Sequence, residues 1–86
     1  MTNEGLLSLV AARRYAQSGT GKAIRLRAGL SMSQVGRAAG VSGQAVKNWE
    51  TGACLPRGAA ATLWVQLLDA LAEEERTNEA LTAKTA

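Results

Sequence analysis

Histidine and phenylalanine are absent from this chain of 86 residues, and cysteine and proline each occur once. One thiol without any imidazole leaves no plausible zinc-ligand set, no disulfide and no histidine base. We therefore expect no enzyme, no cofactor, no metal site and no small-molecule ligand. Long apolar runs are also missing: no stretch approaches the roughly 20 residues of a membrane span, and the N-terminus lacks a secretory signal pattern. These absences predict a cytoplasmic protein without a membrane partner.

The charges that are present are unevenly distributed. Residues 1–68 carry eight basic and two acidic side chains, a net charge of +6, whereas residues 69–86 carry two basic and five acidic side chains, a net charge of −3. A basic globular part is the electrostatic footprint of a protein that binds phosphate backbones. The charge pattern favours a nucleic acid as the partner.

The middle of the chain predicts two short helices joined by a tight turn. Ser31 is placed to cap a helix from about Met32 to Ala39, and Gly40 ends it. Ser42 is placed to cap a second helix, 44–50, which stops before Gly52. A helix, a turn of about three residues and another helix is the arrangement of DNA-binding helix-turn-helix units.

Apolar and small residues in this segment fit two crossed helices. Gly36 and Ala39 would allow close approach of the two backbones, since a glycine within a helix costs roughly 1 kcal/mol and needs a packing reason. The residues expected to fill the angle between the helices are Val35, Ala38, Val41, Val46 and Trp49.

Three further helices are predicted around this unit. The first spans Leu6 to about Ser18, and the second spans 21–28 with Thr20 as its cap. After the single proline, apolar residues at i, i+3, i+4 spacing predict a long last helix that ends near Glu75. We expect one domain, residues 1–75, with the helix-turn-helix at about 31–51, followed by a flexible acidic tail, residues 76–86.

Four short stretches carry a resemblance to a known family. They are Ile24-Arg25, Ala28-Gly29-Leu30-Ser31, Gly40-Val41-Ser42, and Trp49-Glu50 followed by Gly52 and Pro56. Together they resemble the Xre/Cro-type helix-turn-helix family, which includes the lambda-type phage repressors. The resemblance implies an all-α, compact five-helix bundle, the lambda-repressor-like DNA-binding domain. Met32 departs from the family, which often has a phosphate-binding glutamine at that position.

The resemblance and the residue types together give a set of expected DNA contacts. Amide and amino side chains on the second motif helix would read bases, because Gln and Asn can pair with adenine and Lys with guanine. The family also implies an internal bridge between Arg25 and Glu50, which removes Glu50 from the reading surface. The expected base-reading positions are Gly43, Gln44, Lys47 and Asn48, and the expected phosphate-binding residues are Ser31, Ser33, Ser42, Lys22, Arg27 and Arg57.

These expectations predict a sequence-specific transcriptional regulator, a Cro-like repressor of a phage or mobile element, acting on operator DNA near the nucleoid of a bacterial host. It would place helix 43–50 in the major groove. Two alternatives stay open: an antitoxin-like module that binds a toxin and represses its own gene, and an excision or architectural DNA-binding factor. The wide apolar arc of helix 59–75 fits either a central core helix or a homodimer interface made by Leu63, Leu67, Leu68 and Leu71.

Overall fold

The computed structural model describes the backbone of residues 3–85 and the side chains of residues 5–77. It confirms the all-α class and the number of helices. The helices are α1 (Asn3–Ser18), α2 (Thr20–Arg27), α3 (Met32–Ala39), α4 (Gly43–Thr51) and α5 (Gly58–Thr85), and no strand occurs between residues 3 and 85.

The starts and stops of the motif helices follow from local residue chemistry. The Ser31 hydroxyl accepts from the backbone N–H of Gln34 at 3.0 Å, and the Gln34 side chain accepts from the backbone N–H of Ser31 at 2.8 Å, which makes a complete capping box at the start of α3. Gly40 ends α3 in the left-handed conformation, with φ of 76°. The Ser42 hydroxyl accepts from the N–H of Ala45 at 3.1 Å and caps α4.

Two of the predicted helix boundaries were wrong. Thr20 does not cap α2: it is the first helical residue, and Gly19 stands before it in a left-handed conformation with φ of 75° that strongly favours glycine. The last helix continues to Thr85 rather than ending near Glu75, because residues 76–85 contain no glycine or proline to stop it. The predicted flexible tail, residues 76–86, falls mostly on residues 78–86, whose side chains lie outside those that the structure describes. It is not acidic in composition, because Arg76 and Lys84 outnumber Glu79.

The core forms where α5 packs against α1, α2 and α3. Both tryptophans are buried in it, with the rings of Trp49 and Trp64 at a centroid distance of 5.1 Å, and Tyr15 meets Trp64 edge-on at 6.3 Å. One core prediction was wrong: Ala38 is exposed, whereas its neighbour Ala39 is buried against the rest of the core. Adjacent residues of a helix point about 100° apart, so only one of these two methyl groups faces the core.

The central position of α5 accounts for part of its wide apolar arc. Leu68 is fully buried, so the structure excludes it from the homodimer interface predicted on this helix. Leu67 and Leu71 are half-buried against the core, and Leu63 is 42% exposed. Within the residues searched, no helix is both long enough and apolar enough to cross a membrane.

Candidate nucleic-acid interface

The helices α3 and α4 approach each other through two glycines. A Cβ atom on Gly36 would lie 2.7 Å from the carbonyl oxygen of Val41 and 2.8 Å from that of Ser42, so only glycine fits between α3 and the following turn. A Cβ atom on Gly43 would lie 2.9 Å from the Ser33 hydroxyl oxygen and 3.1 Å from the Ser33 nitrogen. The starts of the two helices are therefore held side by side.

This contact gives Gly43 a packing role that the sequence did not suggest. Gly43 is half-buried beside the first turn of α3 and has no side chain to extend toward a base. The expected base-reading position at the start of α4 can thus contribute only its backbone. The polar side chains of the exposed face of α4 begin one residue later, at Gln44.

The exposed face of α4 carries amide and amino groups. Gln44 and Lys47 are exposed and Asn48 is half-buried. The side-chain amide of Gln44 donates to the side-chain oxygen of Asn48 at 3.1 Å, so these two expected base readers are already in contact on one helical face. Their i, i+4 spacing was visible in the sequence and could have indicated this bond.

Arg25 and Glu50 form an ion pair that joins α2 to the end of α4. The Arg25 Nε donates to Glu50 Oε2 at 2.6 Å, and its terminal Nη2 donates to Glu50 Oε1 at 2.9 Å, which is a bidentate arrangement. The remaining terminal nitrogen donates to the backbone oxygen of Leu30 at 3.0 Å. The two side chains are only 7% and 2% exposed.

The hydrogen bonds with Glu50 raise the pKa of Arg25 above its ordinary value and outweigh the lowering by burial. Arg25 therefore stays charged, and its guanidinium is satisfied by three hydrogen bonds inside the protein. Glu50 points into this contact rather than toward the exposed face of α4. The pair fixes the C-terminal end of the helix that carries the amide groups.

The serines at the helix starts keep a hydrogen-bond donor free for a ligand. Ser31 and Ser42 each accept a backbone N–H as helix caps, and their hydroxyl protons are not used by that bond. Ser33 is exposed next to Gly43, between the two capped helix starts. Hydroxyl and backbone N–H groups at helix N-termini are common partners of phosphate oxygens.

The expected cations differ in their surroundings. Lys22 and Arg57 are exposed. Arg27 is exposed too, but its Nε lies 3.1 Å from Glu75 Oε1, so it links α2 to α5. Nothing in the sequence indicated this pair, because the two residues are far apart in the chain and meet only through the packing of the helices.

A second long-range contact was also missed. The Tyr15 hydroxyl donates to a carboxylate oxygen of Asp69, which ties α1 to α5. Burial, followed by the hydrogen bond and negative charge of Asp69, raises the pKa of Tyr15 from 10.0 to about 12. This contact lies beside a groove of about 400 Å³ between α1, α2 and α5, and it leaves the face of α4 untouched.

Comparison with known proteins supports a classification based on this geometry. A family model described as a helix-turn-helix domain matches residues 22–78, which include α3, α4 and the turn through Gly40. No curated protein and no solved structure matches the chain. α1 lies wholly outside the matched residues. Since the match covers well over half of the 86 residues and contains the capped, closely packed helix pair, the chain belongs to the helix-turn-helix domain family.

Proposed function

We propose that this protein is a sequence-specific DNA-binding transcriptional regulator of the Xre/Cro type, acting as a Cro-like repressor. The observation that carries the proposal is the exposed face of α4, where Gln44, Lys47 and Asn48 are presented by a helix fixed at both ends. Helix-turn-helix proteins place the second helix of the motif in the major groove, where such side chains read base edges.

The rigidity of α4 supports this role. Its N-terminal end is held by the close contact of Gly43 with Ser33, and its C-terminal end by the bidentate pair of Glu50 with Arg25. A base-reading side chain must be positioned to within a fraction of an ångström, and sites built on braced helices meet this need better than loops do.

Phosphate contacts would flank the base-reading face. The proposed donors are the hydroxyls of Ser31, Ser33 and Ser42, together with the backbone N–H groups at the starts of α3 and α4. Lys22 and Arg57 would add positive charge, whereas Arg27 would first have to leave Glu75. Such contacts fix the register of the protein on DNA, and they make affinity depend on salt.

A dimer would give the repressor two reading helices. Leu63 is exposed, and Leu67 and Leu71 are half-buried, so these three leucines remain as the proposed two-fold interface. Two copies of α4 about 34 Å apart would match successive major grooves and a pseudo-palindromic operator. Leu63→Lys should then shift sedimentation equilibrium toward monomer, whereas Gln17→Lys on the exposed face of α1 should not.

The experiment that tests the proposed function is selection of bound sequences from random duplex DNA, at 50 and 200 mM salt. A sequence-specific regulator enriches one consensus, which becomes pseudo-palindromic if the protein binds as a dimer. If some six phosphates are neutralised, affinity falls about 10³-fold between the two salt concentrations. No enrichment, or an affinity that does not change with salt, would refute DNA reading by α4.

A further inference from the structure

The hydrogen bond between Gln44 and Asn48 makes the two amides unequal. Gln44 is exposed and uses one of its two amide protons in this bond. Asn48 is half-buried and uses its side-chain oxygen to accept that proton at 3.1 Å. Gln44 therefore keeps its oxygen and a second proton for a ligand, whereas Asn48 has its oxygen directed along the helix.

Asn48 lies in the anchored C-terminal part of α4. Its backbone oxygen accepts from the Thr51 hydroxyl at 3.4 Å and from the backbone N–H of Cys54 at 3.2 Å, which joins the turn after the helix to this residue. The next two residues are the buried Trp49 and the ion-paired Glu50. The long side chain of Gln44 is thus held by a neighbour whose backbone is fixed.

The groups that Gln44 keeps free match one base. Adenine presents an acceptor, N7, and a donor, the N6 amino group, in the major groove, and a glutamine amide pairs with both through one N–H and its oxygen. Guanine presents two acceptors there, so the amide oxygen would face another acceptor and could form no hydrogen bond with it. A fixed amide orientation therefore discriminates adenine from guanine, whereas a freely rotating amide loses part of that discrimination.

We propose that Gln44 reads an adenine of the operator and that Asn48 is a positioning residue, which orients the Gln44 amide instead of reading a second base. This inference rests on the proposed function, because it assigns roles within the same α4 surface. It predicts that substitutions at both positions alter preference at one and the same base pair.

The test compares affinity for the selected operator with affinity for the same duplex carrying guanine in place of the adenine. One bidentate contact is worth a preference of roughly 5- to 150-fold for wild type. Gln44→Ala should abolish it. Asn48→Ala should reduce the adenine preference roughly 2- to 12-fold, which is the effect of freeing one long side chain. The double variant with both substitutions should show the same loss of preference as Gln44→Ala alone. The ratio of the two affinities is unaffected by partial unfolding, since unfolding weakens binding to both duplexes equally.

Two further variants separate positioning from general binding. Asn48→Asp keeps an oxygen that can accept from Gln44, so it should retain the adenine preference although its negative charge weakens binding to both duplexes. Arg57→Ala, the matched control, should weaken both affinities and leave the ratio unchanged. These variants distinguish a loss of base discrimination from a loss of affinity.

The outcomes separate this inference from the proposed function. If wild type enriches no sequence, the proposed function fails and this assignment fails with it. If wild type enriches an operator but Asn48→Ala leaves the ratio unchanged, or alters preference at a different base pair from Gln44→Ala, Asn48 is not a positioning residue for Gln44. In that case the regulator assignment stands and this inference is overturned.

Discussion

Removal of Arg25 should be among the most destabilising single changes in this chain. Arg25→Met keeps most of the side-chain stem but leaves the Glu50 carboxylate, 2% exposed, without its partner, and leaves the Leu30 oxygen without the donor at 3.0 Å. Breaking a buried ion pair by removing one partner costs about 3–5 kcal/mol, because an uncompensated charge stays buried. A domain of 86 residues has a total stability of about 4–13 kcal/mol, so the loss is a large fraction of it.

The assay is thermal and urea unfolding followed by circular dichroism, with the fluorescence of the tryptophans as a second probe. A domain of this size loses about 4–8 °C in Tm for each kcal/mol, so Arg25→Met should lower the Tm by about 12 °C or more. Arg25→Met combined with Glu50→Leu should cost less than the sum of the single substitutions, because the double variant buries no unpaired charge. The matched control is Arg76→Met, which breaks a pair with Glu73 that is 71% and 73% exposed.

The control pair is solvent-exposed, so its loss should change stability by no more than about 0.5 kcal/mol. If Arg25→Met costs as little as Arg76→Met, the bridge does not support α4 and the reasoning from burial is refuted. Strictly additive effects of Arg25→Met and Glu50→Leu would refute the coupling between the two residues.

Three further predictions follow from the contacts of individual side chains. Tyr15 is the sole tyrosine, so absorbance at 295 nm during alkaline titration should show its ionisation near pH 12, and Asp69→Asn should lower that midpoint. Because the pKa of Tyr15 is higher in the folded protein, its contact with Asp69 stabilises the fold fully below pH 10, and this contribution should be lost as the pH rises through 12. Gly36→Ala should lower the denaturation midpoint, because a Cβ would meet a backbone oxygen at 2.7 Å. The control Gly5→Ala, where a Cβ would have nothing within 4 Å, should raise the free energy of unfolding by about 0.5–1 kcal/mol. Equal effects of the two substitutions would contradict the steric argument. Trp64→Ala should cost about 3–5 kcal/mol in urea unfolding, since the side chain is 1% exposed, and a loss below 1 kcal/mol would argue against its place in the core.

Much of the local structure could be predicted because its causes lie within a few residues. Ser31 and Ser42 cap their helices through hydrogen bonds to backbone groups three residues away. Gly40 ends α3 because the chain there has positive φ. The end of α5 was misplaced, since the prediction followed the apolar spacing to Glu75, within an acidic run, although nothing there breaks a helix. Charge alone does not end a helix, whereas glycine and proline do.

The candidate site was predictable to the level of residue types and positions. The sequence indicated the amide and amino groups at Gln44, Lys47 and Asn48, and the resemblance implied the pairing of Arg25 with Glu50. It did not reveal that Gly43 packs on α3, because that contact depends on how closely two helices cross. Nor did it show that Arg27 is already engaged with Glu75.

The sequence by itself determined where helices begin and end within the motif, because capping and left-handed turns are decided by short-range hydrogen bonds and backbone sterics. Only the tertiary structure decided that Ala39 rather than Ala38 is buried, that Arg27 pairs with Glu75, and that Tyr15 bonds Asp69. These contacts join residues from different helices. They depend on how each helix is rotated and crossed against α5. The periodicity of the sequence predicts which face of a helix is buried, but not the exact rotation of that face.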